Sequence, residues 1–269
     1  MSDARVRPII TLTTDFGVRD HYVGTMKGVI LGRCPGAELV DISHEIPAFS
    51  IVAAAYTIDQ AAFYFPAGTV HLMVVDPGVG TARRGLCAEA AGQIFVAPDN
   101  GVLSLVAGRS GGLRAWELAR RDLWLAAPSS TFHGRDIFAP VAAALASGRV
   151  RPEDVGLAVE EIELLEDLDA RQSEAGVWRA RVLSVDRFGN AITNLRASEF
   201  SRIAETRFAM EAGGRKVERF HRTFGEAAAG ECFAFFGSSG YVELGVNQQS
   251  AAEMLGIAAG AAVTLRMES

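Results

Sequence analysis

Residues 8–43 read PIITLTTDFGVRDHYVGTMKGVILGRCPGAELVDIS. The run from Ile9 to Thr14 is dense in β-branched residues, Val23, Met26, Ile30 and Leu31 recur near helical spacing, and ELVDIS is apolar and β-branched again. A strand, a helix and a second strand in that order predict a crossover between parallel strands with the helix packed on the sheet. The pattern continues outward. TVHLMVVD (69–76) and QIFVAP (93–98) read as further strands, and SIVAAAYTIDQAAFYF (50–65) reads as a second helix. DIFAPVAAALASG (136–148) is a last helix, ended by a glycine suited to capping and made irregular in its first turn by Pro140. The expectation for residues 1–160 is an α/β domain with a mostly parallel sheet flanked by helices.

Beyond Gly148 the character changes. The charged stretch RPEDVGLAVEEIELLEDLDARQSEAG (151–176) has no dominant period, and residues 161–176 are expected to be a linker. From residue 177 to 269 come short alternating segments with Gly and Asn turns: WRARVLSVD, AITNL, TRFAMEA, RKVERFH, CFAFFG, YVELGV and AVTLRM. These predict a small antiparallel, β-barrel-like C-terminal domain.

Composition narrows the function. A chain of 269 residues that is 49% hydrophobic supports a substantial folded core. Its net charge of −6, without a cluster of Lys and Arg, argues against a nucleic-acid partner. Cys34, Cys87 and Cys232 are scattered, so neither a zinc site nor a disulfide framework is suggested. With no signal-peptide pattern and no apolar run of membrane-spanning length, a cytoplasmic protein without membrane attachment is expected.

Three blocks in the first half carry chemistry. Asp-Phe-Gly at 15–17 resembles the magnesium-binding tripeptide of kinases, but it lies near the N-terminus, and HGRD (133–136) follows it in the wrong order and with an extra Gly. The kinase reading fails. What remains is a carboxylate, Asp15, at the C-terminal end of the first strand, where open α/β sheets place their ligands. A carboxylate accepts hydrogen bonds from both hydroxyls of a ribose. Asp20, just before the helix, is either its cap or a second ligand contact.

The block VVDPGVGTARRG (74–85) places Asp76 at another strand end, followed by a Pro-Gly turn with Arg83 and Arg84, whose plainer reading is a solvated loop. In STFHGRDIFAP (130–140), His133 stands at a helix entry. His21, His44, His71 and His221 lack such a setting and read as structural. In the second half, VDRFGNAITN and FGSSGYVELGVNQQS offer Asn190 to match a purine edge, and Phe188 and Phe236 as stacking faces. A turn asparagine and core aromatics are the plainer reading of those residues.

Taken in order, TTDFG, VDPGVGTARR, PDNG, FHGRDIFAP, DRFGN and SSGYVELGVN resemble the S-adenosyl-L-methionine (SAM) hydroxide adenosyltransferase family, the adenosine-forming SAM hydrolases, over almost the whole chain. This family is related to SAM-dependent fluorinases and chlorinases. The resemblance implies an N-terminal α/β domain, a C-terminal barrel-like domain, and a homotrimer with active sites between the N-terminal domain of one subunit and the C-terminal domain of its neighbour. It implies cleavage of SAM to adenosine and L-methionine without metal or other cofactor, by Asp76, Arg83 and His133 acting on a water. It assigns Asp15 to the ribose, and Asn190, Ser238, Glu243 and the backbone near Val246 to the adenosine. Asp20 and Asp186 would face the methionine part, with Phe188 beside the base.

Halogenation is the nearest alternative. In the halogenase branch the position of Asp76 is not an acid and a long insertion follows; here the acid is present and GTARRGLCAEAAGQIF (80–95) is compact. Tyr22 stands where halogenases have a small hydroxyl residue, and the Asp186-to-Phe188 spacing is one residue shorter than in fluorinases. Two other classes are a non-catalytic adenosine or SAM sensor, and a metal-dependent phosphohydrolase built from Asp15, Asp76, His133 and Asp136. No H-x-x-x-H or D-x-D ligand spacing supports the phosphohydrolase.

Overall fold

The computed structural model describes residues 7–268 and divides the chain in two between Leu165 and Glu166. In the first unit, β1 (Ile9–Thr14) leads through α1 (Tyr22–Arg33) to β2 (Glu38–Ser43), and α2 (Ile51–Ala61) leads to β3 (Val70–Val74). Then follow β4 (Gly85–Ala90), β5 (Gln93–Pro98), α3 (Ser104–Ser110), β6 (Arg114–Glu117), a π-helical turn at Gly134–Phe138, α4 (Ala139–Ala146) and β7 (Ala158–Val159). One seven-stranded sheet runs β2-β1-β3-β5-β4-β6-β7.

All six residues of β1 except Leu12 are β-branched, which suits a strand covered on both faces. Ile10 and Leu12, with Val70, Leu72 and Val74 of β3, form one face and pack with Met26 and Ile30 of α1 and with α4. The alternate residues Thr11, Thr13, His71 and Met73 are buried on the opposite face. Leu31, which shared the predicted helical stripe, is instead 43% exposed.

The expectation of a mostly parallel sheet is corrected. β2-β1, β1-β3 and β3-β5 are parallel, but β5-β4, β4-β6 and β6-β7 are antiparallel, so the sheet is mixed and its helices cover only part of it. The reason is local. Ala91 (φ 46°) and Gly92 (φ 80°) both adopt left-handed backbone, the signature of a two-residue hairpin turn, and two residues cannot carry a parallel crossover.

The second unit contains β8 (Arg171–Glu174), β9 (Val177–Val185), β10 (Ala191–Arg196), β11 (Phe208–Ala212), β12 (Arg215–Val217), β13 (Cys232–Phe236), β14 (Tyr241–Val246), α5 (Ala251–Leu255) and β15 (Ala262–Met267). The order β12-β11-β15-β9-β10-β14-β13 is antiparallel throughout, with β8 paired to β9 inside the stretch read as linker. The expected strand RKVERFH is regular only over Arg215–Val217. Beyond it the chain bonds to β13, from Ala234 N to Arg219 O at 2.8 Å and from His221 N to Ala234 O at 3.1 Å. This brings the two end strands of the sheet together and nearly closes a barrel, which removes exposed edges. Inside lie Val182, Leu195, Met210, Val242, Leu244 and Leu265.

Candidate active site

Thr14 and Val74 are register partners at the C-terminal ends of the adjacent parallel strands β1 and β3. The chain leaves both strands at that edge, so Asp15 and Asp76 emerge side by side. Both line a pocket of about 240 Å3, together with Phe49, Thr131, Phe132 and His133. The crevice inferred from two acidic strand ends is therefore present.

Asp76 and Arg83 form a two-pronged pair, Nε to Oδ1 at 3.0 Å and Nη2 to Oδ2 at 2.5 Å, with both side chains almost wholly buried. The same Nη2 lies 3.1 Å from His133 Nδ1. A guanidinium only donates, so Nδ1 accepts and the neutral ring carries its proton on Nε2. Burial raises the Asp76 pKa above the ordinary carboxylate range, against the opposing pull of Arg83. Burial, then the charge of Arg83, lowers that of His133, which keeps the ring neutral at pH 7. Arg83 does not line the pocket; it reaches both lining groups from behind and rests over the ring of Phe138 at 5.2 Å.

Neighbouring segments hold this arrangement. Asn100, from the PDNG block, donates to the carbonyl of Val75 at 3.0 Å and so supports the strand end that carries Asp76. Arg84 is not the solvated residue of the plainer reading: it binds Asp99 Oδ2 through Nε at 3.0 Å and Nη2 at 2.6 Å. Gly80 has φ +78°, and a Cβ there would collide with the carbonyl oxygen of Ser130, so the loops bearing Arg83 and His133 are in direct contact. His133 immediately precedes the π-helical turn, a feature common at functional sites, without capping it through its side chain. Asp136 in that turn has both oxygens engaged, by Arg135 at 2.6 and 2.9 Å and by Ser129 N at 2.7 Å. Those contacts outweigh its burial and lower its pKa. Asp76 and Asp136 are thus committed to guanidinium partners, and among the described residues no three His, Cys, Asp or Glu side chains gather with the spacing of a metal site.

Asp15, which lines the pocket, accepts a hydrogen bond at Oδ2 from Phe49 N at 2.9 Å. Phe49 is 72% exposed and sits in left-handed backbone, φ 66°, unusual for an aromatic residue. Reading the sequence missed it, because nothing in IPAFS marks a phenylalanine for the surface. Asp20 is exposed and caps nothing: the residue preceding α1 is His21, which makes no side-chain cap. Tyr22 packs on Phe16 and Phe132.

The remaining expected residues lie in the second unit. Phe188, 78% exposed, and Asn190 line a pocket of about 590 Å3 with Phe224, Val246, Gln248, Gln249 and Ser250. Asp186 accepts from Phe188 N and Asn190 N at Oδ1 and from the Asn190 amide at Oδ2, each at 2.8–2.9 Å. Its carboxylate is turned into its own loop, where it orients Asn190. Glu243 is buried, its pKa raised chiefly by burial, and it accepts from Ser239 at 3.0 Å, whereas Ser238 is exposed. A Cβ on Gly237 would overlap Glu243 Oε1. Phe236 packs at a tilt against Phe220 and is not part of this pocket's lining; Phe224, overlooked in the sequence, supplies the second aromatic face.

Sequence models of the SAM hydroxide adenosyltransferase N-terminal and C-terminal domains match residues 10–156 and 180–264. A Thermus thermophilus protein named (R)-S-adenosyl-L-methionine hydrolase is 41% identical over 97% of this chain and 100% of its own length. One of the same name from Salinispora tropica is 42% identical over 94% and 95%. A fluorinase from Actinoplanes sp. is more distant, at 28% identity over 97% and 98%. A crystal structure of an uncharacterized conserved protein from Thermotoga maritima superposes with a TM-score of 0.86 at 36% identity, covering 96% of this chain and 99% of that one.

Proposed function

This chain belongs to the SAM hydroxide adenosyltransferase family, and we propose that it hydrolyses SAM to adenosine and L-methionine through the pocket bounded by Asp15, Asp76 and His133. The observation that carries the site assignment is the single guanidinium of Arg83 bound to both Asp76 and His133, two groups that face one small cavity.

The reaction needs an aimed oxygen. Water attacks C5′ of the ribose, the C5′–S bond breaks, and the sulfonium leaves as neutral methionine thioether, so no acid is required for departure. Asp76 accepts the proton that the water loses. Its carboxylate accepts from Arg83 twice and from the Gly78 backbone, which leaves one of its roughly four lone-pair sites for the water, and its raised pKa makes it a better base than an ordinary aspartate. His133, protonated on Nε2, donates to the oxygen and fixes its direction. Alignment of this kind contributes several kcal/mol, about 7 or more in the best cases. The carboxylate also selects water over halide: a water donates to Asp76, whereas an anion is repelled by it.

Asp15 Oδ1 is proposed to take the ribose hydroxyls. Asn190, with Phe188 and Phe224 as flat faces, is proposed to take the adenine, with Glu243, Ser238 and the Val246 backbone around the nucleoside and Asp20 and Asp186 on the methionine side, where Asp186 has only Oδ2, already bonded once to Asn190, left to offer. A homotrimer in which neighbouring copies supply these two halves completes the proposal, as does a cytoplasmic setting, which three free cysteines suit. Metal-free turnover belongs to it too, and rests on the guanidinium charge beside Asp76.

Adenosine release from SAM tests the assignment. D76N, R83A and H133A are each expected to lower kcat by at least about 100-fold; near wild-type rates in all three would refute it. With fluoride or chloride present the product should remain adenosine, and a 5′-halonucleoside as main product would select the halogenase reading. Sedimentation at the mass of three chains is expected.

A further inference from the structure

We propose that His44 is a positioning residue for Asp15, and through it for the ribose of the bound nucleoside; this rests on reading Asp15 as the ribose ligand. His44 is buried and does not line the pocket. It grips the turn that carries Asp15 at both ends. Its Nδ1 lies 2.8 Å from Thr14 Oγ1, and its carbonyl oxygen accepts from Gly17 N at 2.8 Å. Inside the turn, Thr14 Oγ1 accepts from Phe16 N at 3.3 Å.

The charge on the far side of the ring sets the direction of the links. His44 Nε2 lies 3.0 Å from Asp41 Oδ1, and Asp41 Oδ2 receives Lys27 Nζ at 2.6 Å. The approach to Asp41 is too bent for a hydrogen bond, but a carboxylate beside Nε2 favours by charge the tautomer with its proton there, which leaves Nδ1 to accept from the Thr14 hydroxyl. The Thr14 oxygen is then free to take the Phe16 amide. The same segment runs on through buried Ile46 to Phe49, whose N–H holds Asp15 Oδ2. Asp15 is therefore oriented from below by its own turn and from the side by Phe49, and both constraints lead back to residues 41–49. A ribose diol bound to one carboxylate is sensitive to that orientation, since a shift of about 1 Å in a positioned group costs up to about 100-fold.

The test is calorimetry of adenosine and of 2′,3′-dideoxyadenosine with the full-length protein, because only the first has hydroxyls for Asp15. Wild type is expected to prefer adenosine, and D15A to lose that preference. H44A should reduce the preference about 10-fold with dideoxyadenosine affinity nearly unchanged, and should add nothing in the D15A background. H44N should retain most of it, because its amide oxygen can accept from Thr14. If H44A does not fold, D41N, at an exposed position, is read in the same way and is expected to lose about 3-fold. A full preference in H44A, or equal weakening of both ligands, overturns the role of His44 and leaves Asp15 standing. A full preference in D15A overturns the Asp15 reading and this proposal with it.

Discussion

Asp76 and His133 share a pocket, and burial moves their pKa values toward each other, up for the carboxyl and down for the imidazole. The direction sets the pH response. Asp76 must be ionised to accept a proton, and its raised pKa means that ionisation is lost at a higher pH than an aspartate's ordinary 3.8. We expect kcat to fall on acidification with a midpoint above that value, and D76N to lack this limb in a pH–rate profile. A limb that persists in D76N but disappears in H133Q would make His133 the proton acceptor instead. Arg83 supplies geometry as well as charge, because three contacts radiate from one planar fork. R83K keeps the charge and loses the fork. Its kcat should drop about 100-fold while adenosine affinity, measured by calorimetry, stays near wild type.

Loop contacts, more than regular elements, fix the spacing between catalytic groups. The turn after β3 and the loop before the π-helical turn touch at Gly80, whose left-handed φ of +78° and closeness to the Ser130 carbonyl leave no room for a side chain. G80A should cost about 2 kcal/mol in denaturant unfolding and lower kcat more than about 10-fold, because the loops must part and Arg83 loses register with His133. The β4–β5 hairpin has the opposite opportunity. Ala91 sits at φ 46° in a turn position that favours Asn, so A91N should raise stability by about 0.5–1 kcal/mol without altering activity. This hairpin is also where sequence reading went astray: GLCAEA has too weak an alternation to announce a strand, and the pairing that reverses its direction comes from a two-residue turn with no Asn.

At the scale of the whole molecule, stability is tied to pH through a group far from the chemistry. His71 is fully buried in β3, bonded at Nδ1 to Thr11 at 2.8 Å and stacked on Phe95, and burial pushes its pKa down to about 4. The unfolded chain, where the ring titrates near 6.5, binds this proton more readily than the native one. The resulting stabilisation is complete above pH 6.5 and is lost as pH falls toward 4, at about 1.4 kcal/mol per unit and roughly 3 kcal/mol in all. Urea unfolding between pH 7 and 4.5 should show this slope, and H71N should flatten it. The sequence by itself determined the strands at whose ends Asp15 and Asp76 stand, the change to short antiparallel strands after residue 176, and, through six ordered motifs, the family. Those are local properties, written in side-chain periodicity and in residues adjacent along the chain. Only the tertiary structure decided that β6 pairs antiparallel with β4, that Phe49 and Phe224 face the pockets, and that one guanidinium joins positions 76 and 133. Such outcomes depend on which hydrogen-bond partners and burial each side chain finds among residues distant in sequence, and no single stretch of the chain contains that competition.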